Sequence, residues 1–182
     1  MTKATVLVHR TMSLDGFIAE PGDAMHWIFE HSAPDDVEEI IRATGAILAG
    51  RRSYDVGEHD TGKASQGPYG GAWSGPIFVL THRPPQAAHD PAISFLAGDI
   101  RAAVGTARQA AAGKKVEIFG ADVARQCFEH GLVDEVLVHV APVLLGAGVP
   151  FYDGAEVGRV DLEPISTKQS GSITTLHYRV RH

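Results

Sequence analysis

Short apolar runs alternate with amphipathic segments along this chain. The runs are rich in Val, Ile, Leu, Ala and Phe, a composition typical of buried strands. They lie at 5–11, 46–49, 77–80 and 116–119. Segments 37–45 and 99–112 instead carry apolar residues at helical spacing. Strands that alternate with helices in this way predict an α/β domain.

Capping and turn residues set the limits of the predicted helices. Ser32 and Asp99 are predicted N-caps, because their side chains accept hydrogen bonds from the unpaired N–H groups of a first helical turn. Gly45 and Gly113 are predicted to end these two helices. A third helix is predicted after the run 116–119, with Asp122 as its N-cap.

Two further strands are predicted in the C-terminal part of the chain. The run 136–145 is the most strand-like of all, and the turn residues of 146–148 follow it. The alternating segment 174–180 is expected to form the last strand, at or near an edge of the sheet.

The segment Asp55–Gly75 contains six glycines and Pro68 and predicts a long loop. Such a loop is either a disordered surface insertion or a functional lid. Tyr69 and Trp73 favour a loop that packs on the rest of the domain, because a solvated linker has little use for two large aromatic side chains.

Composition and charge exclude several classes of protein. Sixteen basic and 22 acidic residues give a formal net charge of −6 at pH 7, which opposes nucleic-acid binding. Cys127 is the only cysteine, so an internal disulfide and a multi-cysteine zinc site are excluded and a reducing, cytoplasmic setting is expected. No apolar stretch approaches the roughly 20 residues that span a bilayer, and no secretory signal is expected at 1–10.

The length of 182 residues predicts one domain across 1–182.

Three predicted strand ends carry residue types that bind anions. Glycine lets the backbone approach a ligand, the N–H groups of a helix start attract negative charge, and arginine and histidine add positive charge. The first junction is Gly50, Arg51, Arg52 and Ser53; the second is Thr81, His82 and Arg83; the third is Phe119, Gly120, Ala121, Asp122, Val123 and Ala124. Since ligands of open α/β sheets bind at the carboxyl ends of strands, these are the candidate anion-binding residues.

Each junction also has a simpler interpretation. Residues 50–53 fit a helix start with solvated arginines, 81–83 a polar turn before two prolines, and 120–124 an ordinary capped helix. None of the three matches the Walker A ending or the Gly-x-Gly-x-x-Gly fingerprint. The chain also lacks Gly-x-Ser-x-Gly and His-Glu-x-x-His, so a serine hydrolase or a metal enzyme is disfavoured and no metal is expected.

Taken together, five segments resemble the dihydrofolate-reductase-like family. The closer resemblance is to stand-alone relatives of the reductase domain of the bifunctional riboflavin-biosynthesis deaminase–reductase. The segments are TMSLDGFIA at 11–19, GRRSYD at 50–55, VLTHRP at 79–84, GADVARQ at 120–126 with GLVDE at 131–135, and HVAPVLLGAG at 139–148. The resemblance covers nearly the whole chain, from Val6 to about Tyr178.

The resemblance implies a three-layer α/β fold, in which a mixed, mostly parallel sheet with an antiparallel C-terminal strand lies between helices. It implies NADPH as the cofactor. Residues 50–53 and 81–83 would hold the adenine-side phosphates, including the 2′-phosphate, and 120–124 the pyrophosphate near the nicotinamide. A homodimer is implied as well, with the region after Pro142 contributing to the contact.

Some features depart from the family. Phe119-Gly120 stands where the family commonly has Gly-Gly, so Phe119 is expected to narrow the cofactor site or to stack there. No part of these 182 residues resembles the deaminase half, and no acid matches the pteridine-binding carboxylate of dihydrofolate reductases. Once Arg51, Arg52 and Arg83 are assigned to the cofactor, no clear basic cluster is left for the phosphate of a phosphoribosyl pyrimidine.

The implied reaction is hydride transfer from NADPH to a small heterocycle, either a pterin or a ribosylaminopyrimidine. Asp15 is the first candidate for a proton donor because it follows the first strand, and Glu30 is the second. Trp27 would share a helical face with Glu30 and wall a planar ring, while Tyr54 and Trp73 are further substrate-binding candidates. Asp15 fits a turn equally well, and Trp27 fits a core position beside an exposed Glu30.

A second hypothesis keeps the fold without the catalysis. The chain would then be a nucleotide-binding or interaction protein, because a fold does not fix a function. Phe119 would mark a cofactor site that has drifted. Binding of NADPH without turnover of any pterin, pyrimidine or flavin would favour this hypothesis.

Overall fold

The computed structural model describes residues 3–31, 37–59, 67–84 and 90–182. The strands among these residues are β1 (Val6–Ser13), β2 (Phe17–Ala19), β3 (Thr44–Gly50), β4 (Ile77–Leu80), β5 (Ile93–Leu96), β6 (Lys115–Phe119), β7 (Glu135–Ala141), β8 (Val149–Pro150), β9 (Leu162–Ser170) and β10 (Ile173–Val180). The α-helices are α1 (Val37–Ala43), α2 (Arg51–His59), α3 (Ile100–Ala110), α4 (Ala121–Glu129) and α5 (Gly154–Val157).

Eight strands form one sheet in the order β5-β4-β3-β6-β1-β7-β10-β9. The strands from β5 to β7 are parallel to their neighbours, whereas β10 runs antiparallel to β7 and to β9. The short strands β2 and β8 pair antiparallel in a second sheet. The expected mixed, mostly parallel sheet with an antiparallel C-terminal strand is confirmed.

Helices cover both faces of the main sheet. Side chains alternate between the faces along each strand, so Val6 and Val8 pack with α3 and α4 while Leu7 packs with Ile40 of α1. The α3–α4 face holds one large apolar core. The opposite face, which we call the α1–α2 face, holds three smaller clusters, one of which contains Leu7 and another Trp27. Polar side chains lie between these clusters.

The sheet opens between β1 and β6 at their carboxyl ends. Pairing of β1 with β6 ends at Val8 and Ile118, whereas β1 stays paired with β7 as far as Ser13 and β6 stays paired with β3 as far as Phe119. The chain leads from β1 to α1 on one face and from β6 to α4 on the other. Open α/β sheets bind ligands at such a reversal. We call this opening the β1–β6 crevice.

Most of the predicted elements are confirmed, with limits that differ by a few residues. Asp99 caps α3 as predicted, since its carboxylate accepts a hydrogen bond from the Ala102 N–H at 2.9 Å. The predicted strand 136–145 ends earlier, at Ala141, because Pro142 has no N–H to continue the ladder. Strands β2, β5, β8 and β9 have no predicted counterpart. The predicted cap Ser32 lies outside the described residues.

Two helix limits were predicted wrongly. Gly45 lies inside β3, and α1 has already ended at Ala43. A Cβ on Gly45 would lie 2.3 Å from the carbonyl oxygen of Ala111, so glycine is required there by close packing rather than by a helix end. Asp122 lies inside the first turn of α4, and the N-cap position belongs to Gly120.

The predicted long loop Asp55–Gly75 is wrong in its first part, where α2 continues to His59. Residues 60–66 lie outside the described part of the chain. Beyond them, Pro68–Gly71 forms a short 3-10 turn and Trp73 is buried. This second part of the segment packs on the α1–α2 face through Tyr69 and Trp73, as the two aromatic residues predicted.

Candidate functional site

The three predicted anion-binding junctions lie side by side at one edge of the sheet. In the parallel register Gly50 is opposite Leu80, and Ala49 is opposite Phe119. The residues that follow these strands therefore leave the sheet at the same level. Arg51 starts α2 there, Thr81 follows β4, and Gly120 leads into α4.

Glycines bring the N-termini of α2 and α4 together. Gly120 has a φ of +97°, and a Cβ on it would lie 2.6 Å from Ser53 Oγ. A Cβ on Gly50 would lie 3.1 Å from Val123 Cγ2. Gly120 is the N-cap residue of α4, and no side chain caps this helix. The first N–H groups of a helix have no partner within the helix and attract an acceptor. Two adjacent helix N-termini favour an anion at this point.

Basic side chains of α2 are tied to neighbouring segments. Arg51 Nε donates to Asp55 Oδ1 at 2.7 Å, and the Arg51 guanidinium also donates to the carbonyl of Arg83. Arg52 Nε donates to Asp23 Oδ2 at 2.6 Å. Arg51 thus joins α2 to the turn after β4, which fixes the first and second junctions relative to each other.

The turn after β4 presents exposed basic side chains. Thr81 is buried, and its Oγ1 accepts a hydrogen bond from the Arg83 N–H at 3.1 Å. The side chains of His82 and Arg83 lie at the exposed surface beside this anchored hydroxyl. Of the sequence-predicted site residues, the structure therefore brings together those of the three junctions.

Arg10 and Phe119 lie on the two sides of the β1–β6 crevice. The guanidinium carbon of Arg10 is 5.6 Å from the centre of the Phe119 ring, a cation–π distance. One guanidinium nitrogen, Nη1, donates to the carbonyl of His9 at 2.5 Å, and Nη2 is buried with no hydrogen-bond partner among the described residues. Burial lowers the pKa of Arg10, and the negative charge of Glu117 opposes this shift.

A buried carboxylate lies beside Arg10 on the α1–α2 face. Glu117 accepts hydrogen bonds from the Tyr69 hydroxyl at 2.6 and 2.7 Å, from Thr44 Oγ1 at 3.2 Å, and from His9 Nδ1 at 2.8 Å. Burial acts to raise the pKa of Glu117, but the hydrogen bonds from His9 and Tyr69 and the charges of His9 and Arg10 hold it below its usual range. Glu117 is therefore ionised.

The same polar row continues across the sheet. The rings of His9 and His139 meet edge to face with centres 4.9 Å apart, and His139 Nδ1 lies 2.8 Å from Thr175 Oγ1. Glu117, His139 and Thr175 are all buried. Four neighbouring strands, β6, β1, β7 and β10, thus each contribute one polar side chain to this row.

Asp15 lies in the turn after β1 and joins two loops. Its carboxylate accepts hydrogen bonds from Ser13 Oγ at 2.6 Å, from the Leu145 N–H at 3.1 Å and from the Gly146 N–H at 2.7 Å. The Ser13 hydroxyl, together with these backbone groups, lowers the pKa of Asp15. An ionised carboxylate with three donors is a good structural acceptor and a poor source of protons.

The other predicted substrate-site residues are distributed over the α1–α2 face. Glu30 is exposed, whereas Trp27 is buried against Ala141 and Ile173, with its Nε1 lacking a hydrogen-bond partner among the described residues. Trp27 therefore faces the core and Glu30 faces the surface, so the two side chains do not lie on one face.

Tyr54 and Trp73 belong to another cluster of the α1–α2 face. The Tyr54 ring packs edge to face on Phe95 at 5.2 Å, and Trp73 donates from Nε1 to the carbonyl of Thr44 at 3.1 Å. Both pack around Ile47, away from Trp27.

Sequence reasoning missed His9, Arg10 and Glu117. The available signal was the presence of charged or titratable residues inside apolar strand runs, VLVHRT and VEIF. Buried ionisable groups are uncommon unless they are paired, so each interruption pointed to a partner across the sheet.

The described part of the chain shows neither a metal-binding cluster nor a membrane-spanning helix. It contains no group of three or more His, Cys, Asp or Glu residues that could hold a metal ion. None of its helices is long and apolar enough to cross a bilayer. Two surface concavities lie near the amino ends of the strands, around Lys3 and Arg159. They are far from the junctions, and the amino end of a parallel sheet is not where such folds bind ligands.

Comparison with known proteins gives consistent matches. The sequence profile of the RibD C-terminal domain matches residues 4–176. The uncharacterized protein YwjB of Bacillus subtilis (strain 168) is 26% identical over 180 residues, which cover 98% of this chain and 98% of that protein.

Solved structures share the fold at low sequence identity. A protein of Shewanella sp. PV-4 provisionally assigned to riboflavin biosynthesis has a TM-score of 0.80 and 19% identity, over 98% of this chain and 99% of that one. Dihydrofolate reductase of Enterococcus faecalis, in complex with NADP(H) and RAB-propyl, has a TM-score of 0.63 and 12% identity, over 100% and 99%. These likenesses confirm the dihydrofolate-reductase-like fold, and the profile match covers nearly all of the sequence. The chain belongs to the RibD C-terminal domain family.

Proposed function

We propose that this protein is an NADPH-dependent reductase that transfers a hydride to a small heterocycle. The observation that carries the proposal is the contact between the N-termini of α2 and α4, through Gly120 and Ser53, beside the β1–β6 crevice. A dinucleotide needs an anion site next to an opening that admits a planar ring, and this edge of the sheet supplies both. Membership of the RibD C-terminal domain family supports the same function.

The residues of the three junctions fit such a cofactor. Residues 120–124 and the N-terminus of α2 would hold the pyrophosphate, because Gly120 packs closely on Ser53 and so brings the two helix N-termini together. Thr81, His82 and Arg83, with Arg51 and Arg52, would hold the adenine-side phosphates. When bound, the reduced nicotinamide supplies the hydride. The protein binds and orients it and excludes water.

Phe119 and Arg10 would line the ring end of the site. The Arg10 guanidinium lies over the Phe119 ring across the crevice, which supports the expectation that Phe119 narrows the cofactor site or stacks there. A planar ring entering there would meet an aromatic face and a buried cation. The polar row behind this pair would orient the heterocycle.

The substrate would be a pterin or a ribosylaminopyrimidine. Trp27 supports this assignment, because a buried indole with an N–H that has no partner among the described residues suits a flat, polar ring. The provisional assignment of the Shewanella sp. PV-4 protein to riboflavin biosynthesis favours the ribosylaminopyrimidine over the pterin. Tyr54 and Trp73 remain predicted substrate contacts. Asp15 and Glu30 remain predicted proton donors, but the three hydrogen bonds to the Asp15 carboxylate and the exposure of Glu30 do not favour this role.

We infer that the protein is a cytoplasmic homodimer whose contact includes the region after Pro142. Leu144 is 69% exposed, and Leu14 beside it is 66% exposed. The Leu14 N–H donates to the Val143 carbonyl at 2.8 Å, so the turn after β1 is tied to the segment that carries Leu144. Light scattering of wild type and Leu144→Asp tests this: a dimer that dissociates in the variant supports it, and a monomeric wild type contradicts it.

The experiment for the proposed function combines binding with turnover. NADPH is titrated into the protein by calorimetry, and NADPH oxidation is then followed with dihydropterins, 5-amino-6-ribosylaminouracil and its 5′-phosphate, and flavins as acceptors. Binding with turnover of one acceptor supports the reductase. Binding without turnover of any acceptor favours the non-catalytic nucleotide-binding protein, and absence of NADPH binding contradicts both.

A further inference from the structure

A histidine and a carboxylate form a buried pair beside the β1–β6 crevice, outside the proposed cofactor junctions. His9 Nδ1 lies 2.8 Å from Glu117 Oε1, and the side chains are 9% and 1% exposed. The Tyr69 hydroxyl donates to the same carboxylate, and the Thr44 hydroxyl lies between Glu117 Oε2 at 3.2 Å and the Ile40 carbonyl at 2.9 Å. Glu117 is thus held by three neighbours, and it holds His9 in turn.

The pairing decides which ring nitrogen of His9 can exchange a proton. Glu117 is ionised and can only accept, so Nδ1 of His9 must carry a hydrogen. The nitrogen that remains is Nε2. It is buried and has no hydrogen-bond partner among the described residues. A polar atom left in this state inside a protein is best explained by a ligand that completes its hydrogen bonding.

His9 lies where a ligand in the crevice would reach it. It is the first residue of β1 beyond the last pair with β6, and it directly precedes Arg10. Its side chain belongs to the α1–α2 face, on which Trp27 packs over the carboxyl end of β7. The ring of His9 is therefore on the same face of the sheet as the proposed heterocycle. Along β1 it lies one residue before Arg10, further from the carboxyl end of the strand.

We propose that His9 is the catalytic proton donor and that Glu117 is its positioning residue. This inference rests on the proposed function. As the hydride forms a C–H bond to the acceptor carbon of a C=N or C=O group, the π electron pair of that group moves to nitrogen or oxygen. That atom takes the proton from His9 Nε2. The substrate is reduced by two electrons, and the hydride would come from the C–H bond that breaks when NADPH is oxidised to NADP⁺. His9 is left neutral, its Nδ1–H still donates to Glu117, and Nε2 takes up a new proton from solvent.

This role explains the residues around the pair. A carboxylate that orients an imidazole and stabilises its protonated form is a recurring device in enzymes. The charged and titratable groups that face His9 are Glu117 on β6, Arg10 on its own strand, Tyr69 of the 67–73 segment and His139 on β7. Because the proposed donor acts only when its ring is protonated, turnover is expected to fall as the pH rises.

His9 meets two requirements of a proton donor that Asp15 and Glu30 do not meet. The Asp15 carboxylate is ionised and bound by three donors, and Glu30 is exposed. A proton donor must be both protonated and enclosed with the reacting atoms. The His9 side chain is enclosed, with 9% of its surface exposed, and its Nε2 has no hydrogen-bond partner among the described residues.

Three variants test the inference: His9→Gln, Glu117→Gln and the control His177→Gln. His177 Nε2 lies 2.9 Å from Glu135 Oε2, so the control breaks a similar pair in the same sheet, at the amino end of β7 and away from the crevice. For His9→Gln we expect kcat to fall about 10² to 10⁴-fold with its pH dependence lost, and the Kd for NADPH to stay unchanged. Glu117→Gln is expected to lower kcat and to move the pH profile to lower pH. His177→Gln is expected to behave as wild type.

A spectroscopic readout tests the same inference without any acceptor. In ¹⁵N spectra of the wild type, neutral His9 is expected to be protonated on Nδ1 and to carry no hydrogen on Nε2, and Glu117→Gln is expected to mix the two tautomers. Neutral His9 protonated on Nε2 in the wild type overturns the inference, and so does a His9→Gln variant with unchanged kcat and pH profile. Failure of the wild type to bind NADPH is a different result, because it overturns the proposed function itself.

Discussion

Gly120 and Ser53 lie so close together that a Cβ at position 120 would be 2.6 Å from Ser53 Oγ. The backbone of Gly120 also has a φ of +97°, which other residues rarely adopt. Steric contact and backbone conformation thus require glycine at the same position. The consequence is that the N-termini of α2 and α4 meet where the proposed cofactor would place its pyrophosphate.

Gly120→Ala tests the contact. We expect the free energy of unfolding to fall by about 1–3 kcal/mol because of the strained backbone. We also expect NADPH to bind about tenfold more weakly or worse, because the added methyl group would push apart the two helix N-termini that are proposed to bind the pyrophosphate. The size is that of one hydrogen bond to a charged group. Urea unfolding and calorimetric titration measure these two quantities.

Gly105→Ala is the matched control. Gly105 lies in the interior of α3, and no atom lies within 4 Å of an added Cβ. This variant is expected to be about 0.5–1 kcal/mol more stable than wild type, with unchanged NADPH binding. Equal NADPH affinity of Gly120→Ala and Gly105→Ala would contradict the proposed pyrophosphate site.

Arg83→Ala tests the choice between NADPH and NADH. The Arg83 backbone is anchored to Thr81 and Arg51, while its side chain is exposed at the proposed 2′-phosphate position. Loss of the guanidinium is expected to weaken NADPH binding about tenfold or more and to leave NADH binding unchanged. Arg101→Ala, an exposed arginine on α3, is the control. An unchanged ratio of the two affinities would show that Arg83 does not bind the 2′-phosphate.

Tyr69→Phe tests how much the hydrogen bond from Tyr69 to the buried carboxylate of Glu117 contributes to stability. The Tyr69 hydroxyl donates to Glu117, and without it Glu117 keeps only the donors His9 and Thr44. We expect the variant to lose about 1–3 kcal/mol of unfolding free energy. In the control Tyr152→Phe, an exposed hydroxyl loses its bond to the Gly158 carbonyl, and a smaller effect is expected. Similar losses in both variants would mean that Glu117 does not depend on Tyr69.

The loss of folding stability at acidic pH is expected to depend on Glu135. The hydrogen bond from His177 lowers the pKa of Glu135 to about 2, burial opposes the shift, and the hydrogen bond and charge of Lys115 add to the lowering. Because the pKa is lower in the folded state, this carboxylate stabilises the protein above about pH 4.5. The contribution is lost as the pH falls from about 4.5 to about 2.

Thermal unfolding between pH 2 and 6 checks the assignment in wild type and Glu135→Gln. Wild type is expected to lose stability more steeply than the variant below about pH 4.5. Parallel curves for the two proteins would show that Glu135 titrates at the same pH in the folded and unfolded states.

Strand and helix patterns predicted the core of the fold. The runs 46–49, 77–80 and 116–119 are central parallel strands, and such strands read as continuous apolar runs. The edge strand β9 was not predicted, because most of its residues are exposed and it carries no continuous apolar run. Gly45 resembled a helix end because close packing between two segments leaves no trace in a local sequence pattern.

The candidate site could be predicted only where it depends on strand ends. Residues 50–53, 81–83 and 119–124 follow parallel strands, so their common edge was predictable. The β1–β6 crevice depends on strand order and on the residue at which pairing stops, which the sequence does not encode locally. His9 and Glu117 lie on different strands 108 positions apart, and no local pattern links them.

Calorimetric titration of the wild type with NADPH, and with NADH beside it, tests the central claim most directly. The account predicts NADPH binding with a Kd on the order of micromolar and a clear preference over NADH. Such a result would establish that the edge of the sheet formed by Gly50, Thr81 and Gly120 is a cofactor site. No binding of either dinucleotide, or equal binding of both, would contradict it.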